Sequence, residues 1–410
     1  MLVLGPKRLF WRFAFIGILI FDLATGFLIA SGTLREGGIF SPSQLGRLIV
    51  LLYFVTLLLN RKNAALWFIF GVTPFLLIEL SFGAAHSQAA GLVYGLMTVA
   101  KIAVLAAPLL LSFDELDQRE IAQSFKVGAL VMAMVIIASL VLGIGKPTYP
   151  SGGFGTKSFF PSGNDIGAYL GSATLLLAVA RHYQLINMGM IGVALLLAGL
   201  IGVSSKASLL FALATLGFLI YHSRARVPAI VGLAGITLFY WSQIIDIAAV
   251  VGEIIVRRYH EANGDWLRFL VSGREVYVQE ALTYFREHGS VARLLLGQGI
   301  FVGPQSLQHV TMVDFLEADA FDIFFMFGVI GLFAYATLWW RLFSMSKSKR
   351  WFTLPIGLLL LHSVLAGHVI FSGLFLQTVL AMTVLLQRDK HNTLEPIRLI
   401  THGSVAHYAR

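Results

Sequence analysis

Apolar runs about twenty residues long recur along the chain, broken by short polar stretches, with neither the two-residue alternation of strands nor a soluble helix's narrow apolar stripe. Twelve such runs are read, at roughly 9–30, 45–60, 64–84, 91–111, 122–143, 164–180, 185–203, 206–222, 228–247, 319–340, 353–369 and 371–387. Each is an expected transmembrane helix, so the fold class is an all-α membrane protein. The organisation is helices 1–9 over 1–247, a large loop over 248–318, helices 10–12 over 319–387 and a tail over 388–410. The first run follows Lys7, Arg8 and Arg12. It is longer than a signal peptide's apolar region and further runs follow, so it is read as a retained span.

Charge orients this arrangement. With the N-terminus inside, 18 of the 30 Lys and Arg fall on inner segments or the inner ends of spans, 10 on outer loops or the outer ends of spans, and Arg47 and Lys101 deeper within spans. Six of the outer ten lie in the long loop, where the positive-inside rule is weak, so the short loops decide the orientation and both ends lie in the cytoplasm. The net charge of +9 is distributed this way between apolar runs, which excludes a nucleic-acid surface. Hydrophobic residues make up 57% and charged ones 12%, against about 25% charged in soluble domains, so a water-facing surface of ordinary extent cannot be covered. Cysteine is absent, which excludes disulfides and thiolate chemistry. Zinc spacings, a P-loop, a dinucleotide fingerprint and an EF-hand loop are also absent; His309, His362 and His368 are scattered, and neither metal nor cofactor is predicted.

Several polar groups lie where the bilayer makes them costly. Asp22, Glu79 and Lys101 fall inside spans; Glu79 and Lys101 can pair as a structural bridge or line a polar cleft. The outer loop 144–163 is rich in glycine and carries Lys157. It can be a connector, or its amides can hold an anion. Asn164 and Asp165 open the next span, where capping accounts for them. Lys206, at an outer turn after Ser204 and Ser205, can snorkel or bind an anionic group. In the long loop, Glu275 to Glu287 suits a helix along the membrane surface. Asp314, Glu317, Asp319 and Asp322 cluster where that loop enters the tenth span. Capping explains part of this; Asp319 and Asp322 share a face, and Asp322 reaches membrane depth.

Four features resemble the O-antigen ligase and polysaccharide polymerase superfamily of bacterial envelopes. They are Gly153-Phe154-Gly155 followed by Pro161-Ser162-Gly163-Asn164-Asp165-Ile166-Gly167; Ser205-Lys206-Ala207; Ser272-Gly273-Arg274 with Leu296-Gly297-Gln298-Gly299; and Glu317-Ala318-Asp319 followed by Phe327-Gly328-Val329-Ile330-Gly331. The likeness covers roughly 150–335. Two positions depart from the pattern. Glu317 stands where ligases typically carry a His-Asn pair, which favours polymerase. Lys206 replaces an arginine, keeping the charge but losing the planar fork.

The resemblance implies a GT-C-like glycosyltransferase in the bacterial inner membrane, with its site facing the periplasm. Its donor would be an undecaprenyl-pyrophosphate oligosaccharide, its acceptor a sugar hydroxyl, and a chain-length regulator a possible partner. Arg274, Lys206 and Arg258 would neutralise the leaving pyrophosphate, with Asn164 and Lys157 in support. Glu317 or Asp319 would be the base or orient the acceptor, supported by Asp322. Ligation to lipid A-core is the alternative within the family. A flippase or permease is the rival outside it, but the chain lacks the matching halves common in transporters.

Overall fold

The computed structural model describes residues 6–34, 41–83, 89–148, 155–223, 256, 259–260, 263–265, 268, 273–300 and 316–387, and these are mostly helical. The expected ninth span, 228–247, and the tail from 388 lie outside the described residues, as do Arg258 and Asp314.

The chain opens with α1 (Pro6–Arg12), which runs through a π-helical turn at Phe13–Gly17 into α2 (Ile18–Ala30). There follow α3 (Pro42–Leu59), α4 (Lys62–Ile78), α5 (Ala89–Leu110) and α6 (Glu115–Leu142). A two-stranded ribbon, β1 (Lys146–Pro147) against β2 (Thr156–Ser158), leads to α7 (Gly163–His182), α8 (Met190–Val203) and α9 (Lys206–His222). After the long loop come α10 (Arg274–His288), α11 (Val291–Leu296), α12 (Asp319–Met345), α13 (Thr353–Ala366) and α14 (Gly373–Gln387).

Among the described residues, six stretches are long and apolar enough to cross a membrane: Lys7–Ala30, Pro42–Leu59, Lys62–Ser81, Leu92–Leu110, Glu115–Leu142 and Asp319–Ser348. The chain is a helical membrane protein on this ground. The other expected spans form helices of a different kind. The helices α8 and α13 have 14 residues and α14 has 15. At about 1.5 Å per residue these reach roughly 20 Å, less than the ~30 Å of a hydrocarbon core. Helix α7 is long enough but carries Gly167, Ala168, Gly171, Ser172, Ala173 and Thr174, and sixteen of its twenty residues are buried. Its polarity follows from that position. A helix walled in by other helices meets no lipid, and small residues let its neighbours come close. A Cβ at Gly171 would lie within 2.7 Å of the Phe211 ring on α9. Helix α14 is buried almost throughout and is joined to α7 by Tyr169 Oη donating to Gln377 Oε1 at 2.6 Å.

Helix α12 bends at Gly328, whose φ of +61° and ψ of −154° leave the helical region. The break frees carbonyls that the segment after α11 takes up. Gln298 N–H donates to Phe325 O at 3.1 Å and Gly299 N–H to Met326 O at 2.9 Å. The glycine-rich segment of the long loop is thus the splice that holds the bent helix. The surface helix expected over Glu275–Glu287 exists as α10, but its apolar face is packed: Ala281 is buried with Leu316 and Phe325.

Opposite ends of the bundle differ. At one, Lys349 Nζ donates to Leu386 O at 2.9 Å, Lys126 Nζ to Asn187 O at 3.0 Å, and Lys7 pairs with Asp114 and Asp117. At the other lie the starts of α7, α9, α12 and α14, and the ribbon.

Candidate functional site

The site is built where α12 begins. Ala318 is its N-cap position and provides no side-chain bond, so the start is organised from within the helix. Asp322 turns back and accepts Leu316 N–H at 2.8 Å and Ala318 N–H at 3.2 Å. Asp319 reaches across to the turn between α13 and α14, where its Oδ2 accepts Val369 N–H at 2.9 Å, Ile370 N–H at 3.1 Å and the Ser363 hydroxyl. Both carboxylates are buried, Asp319 completely. Asp319, expected as an alternative base, and Asp322, expected as its support, are thus enclosed and hold backbone amides and the Ser363 hydroxyl, whereas Glu317 is the carboxylate left accessible.

Their work positions Glu317 and His368. Clamping 316–318 from below and 369–370 from the side brings the two intervening residues face to face. Glu317 adopts φ +56° and His368 φ +66°, left-handed conformations uncommon away from glycine. Such backbone costs of order 1–3 kcal/mol and persists only where the surroundings enforce it. Between them stands Gly367 at φ +63°, where a Cβ would come within 2.4 Å of the Glu317 carbonyl carbon. Only glycine permits that approach.

Glu317 Oε1 lies 3.6 Å from His368 Nε2, and its Oε2 accepts from Arg274 Nη2. Arg274 is the first residue of α10, preceded by Gly273 at φ +81°, and is 8% exposed. The Glu317 side chain remains 41% exposed, so it is a carboxylate reachable from outside. Its contact with His368 lowers its proton affinity most; burial opposes this and the Arg274 charge adds to it, leaving a pKa of about 2. Burial of His368 favours the neutral ring, but the contact with Glu317 and the charges of Asp165 and Asp319 prevail and lift it to about 9. At neutral pH the three groups carry two positive charges and one negative.

The remaining residues expected at the site fall around this triad or outside it. Asp165, in the first turn of α7, accepts from Ser162 Oγ at 3.0 Å and lies near enough to His368 to stabilise its charge. Asn164, beside it, is half-buried. Lys206 is exposed at the start of α9, whose cap Ser205 abuts Gly167 of α7. Lys157 is turned inward on its own loop, donating to Pro161 O at 2.7 Å. In the sequence His368 is one of several scattered histidines and capping accounts for Asp165; a lone histidine in a turn carries no local signal, because its partner Glu317 is 51 residues away. The bridge expected between Glu79 and Lys101 is replaced as well. Glu79 accepts Ile300 N–H at 2.8 Å, while the charges facing Lys101 are Arg47 and Asp22.

No family model matches the chain, and no curated protein matches it.

Proposed function

We propose that the chain polymerises lipid-linked oligosaccharide repeat units, breaking an undecaprenyl-pyrophosphate linkage and forming a glycosidic bond at an outward-facing site. The carrying observation is the Arg274–Glu317–His368 triad: an accessible carboxylate restrained between two cations at the end of a membrane helix bundle. The same reading includes twelve spans in a bacterial inner membrane with both chain ends cytoplasmic, the ninth at 228–247 and the short α8, α13 and α14 crossing together with the turns that flank them. The supporting sequence features are the short-loop charge bias and the ordered likeness to the O-antigen polymerase and ligase superfamily.

The chemistry follows from competition for the two cations. A pyrophosphate entering the site takes Arg274 and His368 as counter-ions, through charge-assisted hydrogen bonds. Glu317 then loses the contacts that keep its pKa near 2 and gains a negative neighbour, so its proton affinity rises. The base is therefore weak in the empty site and competent when donor is present. An acceptor hydroxyl oxygen attacks the anomeric carbon and the bond from that carbon to the phosphate oxygen breaks. The hydroxyl proton passes to Glu317, and the electron pair leaves on undecaprenyl pyrophosphate, held by Arg274 and His368 with Lys206 at the rim. Glu317→Gln tests this with purified protein: donor binding persists and chain elongation is lost. Elongation at the parental rate in that variant rules out the base.

A further inference from the structure

We infer that α11 and the four residues after it form a re-entrant piece of the membrane domain. The exposed side of α11 lies against acyl chains in the leaflet on the triad's side, and residues 297–300 thread between α4 and α12 at membrane depth. This placement is independent of the transferase chemistry.

Of the six residues of α11, Val291, Ala292, Leu294 and Leu295 are apolar and exposed, while Leu296 packs on the main core. Water is a poor medium for such a face, whose large side chains gain free energy only against other apolar groups. The helix that α11 packs against is of lipid length. The Leu295 backbone lies 2.5 Å from where a Cβ on Gly328 would stand, nine residues and about 13 Å along α12 from Asp319. Just beyond that point Val329, Ile330 and Phe333 are exposed, in a stretch apolar and long enough to cross a membrane. Leu77 and Leu80 are exposed likewise near the end of α4. Continuity with these surfaces makes acyl chains the occupant.

The backbone after α11 is built for the same medium. Non-helical backbone at membrane depth has no water to bond and persists only where protein supplies the partners. Residues 297–300 meet that condition. Gly297 N–H donates to Arg293 O at 2.8 Å, Gln298 N–H to Phe325 O at 3.1 Å, Gly299 N–H to Met326 O at 2.9 Å, and Ile300 N–H to Glu79 Oε2 at 2.8 Å. Four consecutive donors are taken, and all four residues are buried. A loop lying in water needs no such provision. Glu79 is wholly buried near the end of a lipid-length stretch, where a carboxylate is costly unless it serves a partner. Accepting the re-entrant backbone is that service. Only Gly289 and Ser290 separate α11 from α10, so an anchor here also steadies the helix whose first residue, Arg274, holds Glu317.

Because the chain has no cysteine, single cysteines can carry a nitroxide label. Leu294→Cys and Leu295→Cys are labelled in purified full-length protein in phosphatidylcholine vesicles. Phe333→Cys is the lipid-facing reference and Glu287→Cys, on α10, the water-facing one. Both α11 labels collide with oxygen as often as the label at 333, and lose the collisions with a water-soluble nickel chelate that the label at 287 shows. Nickel collisions at 294 and 295 equal to those at 287 place the face in water and overturn the inference. Few collisions with either reagent mean that protein covers the face, whether a second copy or another part of this chain, and overturn it equally. Val291→Cys stands in for either position should that variant not fold. No elongation is read in this experiment, so a failure here leaves the transferase proposal standing, and inactive protein with the expected collisions upholds the membrane placement alone.

Discussion

At the residue scale, four side chains divide the work at the start of α12. Asp319 and Asp322 bind five donors between them and face no solvent, whereas Glu317 stays accessible while held by the buried Arg274. Replacing Asp319 by Asn weakens the bonds from Val369, Ile370 and Ser363, so stability falls by about 1–3 kcal/mol in thermal unfolding, and turnover falls with it because the turn that holds His368 loses its anchor. Arg274→Ala acts on turnover without loss of protein. Losing a charge-assisted contact worth about 1.5–3 kcal/mol lowers turnover about ten- to a hundred-fold at normal abundance. Titration supplies a separate test. His368 is raised from 6.5 to about 9, so its contribution to stability is complete below about 6.5 and disappears as pH rises through 9. Glu317 is lowered from 4.5 to about 2, so its contribution is complete above 4.5 and lost only as pH falls through about 2. The unfolding-temperature gap between wild type and His368→Gln is therefore widest below about 6.5 and closes through about 9; a gap that widens with pH contradicts the pairing.

At the scale of elements, the bend in α12 and the turn before α14 make the site. Gly328 sits where a Cβ would meet Leu295 backbone at 2.5 Å, at a φ that L side chains rarely adopt. Gly328→Ala therefore reduces the yield of folded protein and the unfolding temperature rather than kcat alone, checked by size-exclusion recovery and thermal unfolding. Much of this scale was legible in the sequence. The runs at 9–30, 45–60, 64–84, 91–111, 122–143 and 319–340 mark lipid-length apolar helices because their side chains face an apolar medium. The acidic start of α12 was legible too, and Arg274 was singled out. What escaped reading depends on distance along the chain. His368 meets Glu317 across 51 residues and Arg47 meets Asp22 across 25, and no local pattern records either pairing. Which carboxylate stays accessible was equally hidden, since Glu317 and Asp319 are two residues apart and differ in distant partners, Arg274 and His368 for the one, Ser363 and the Val369 and Ile370 amides for the other.

At the scale of the whole molecule, the two ends of the bundle carry different chemistry: Lys349 on the C-terminus of α14, with Lys126 and Lys7 nearby on a loop carbonyl and two carboxylates, at one, and the triad at the other. The absence of native cysteine makes orientation directly measurable. Single cysteines at Lys157 and Ser290 should react with an impermeant thiol reagent in intact spheroplasts, and one at Ser348 only after permeabilisation. Reaction of position 348 from outside reverses the orientation. The proposal that this end joins sugars at the expense of a lipid pyrophosphate is measured directly with purified protein in nanodiscs, given undecaprenyl-pyrophosphate-linked repeat units. The expected result is a ladder of lengthened lipid-linked glycans with one undecaprenyl pyrophosphate released per new linkage, both abolished by Glu317→Gln. Folded wild-type protein that binds the donor yet releases no undecaprenyl pyrophosphate, or that moves the donor across a membrane unchanged, contradicts it.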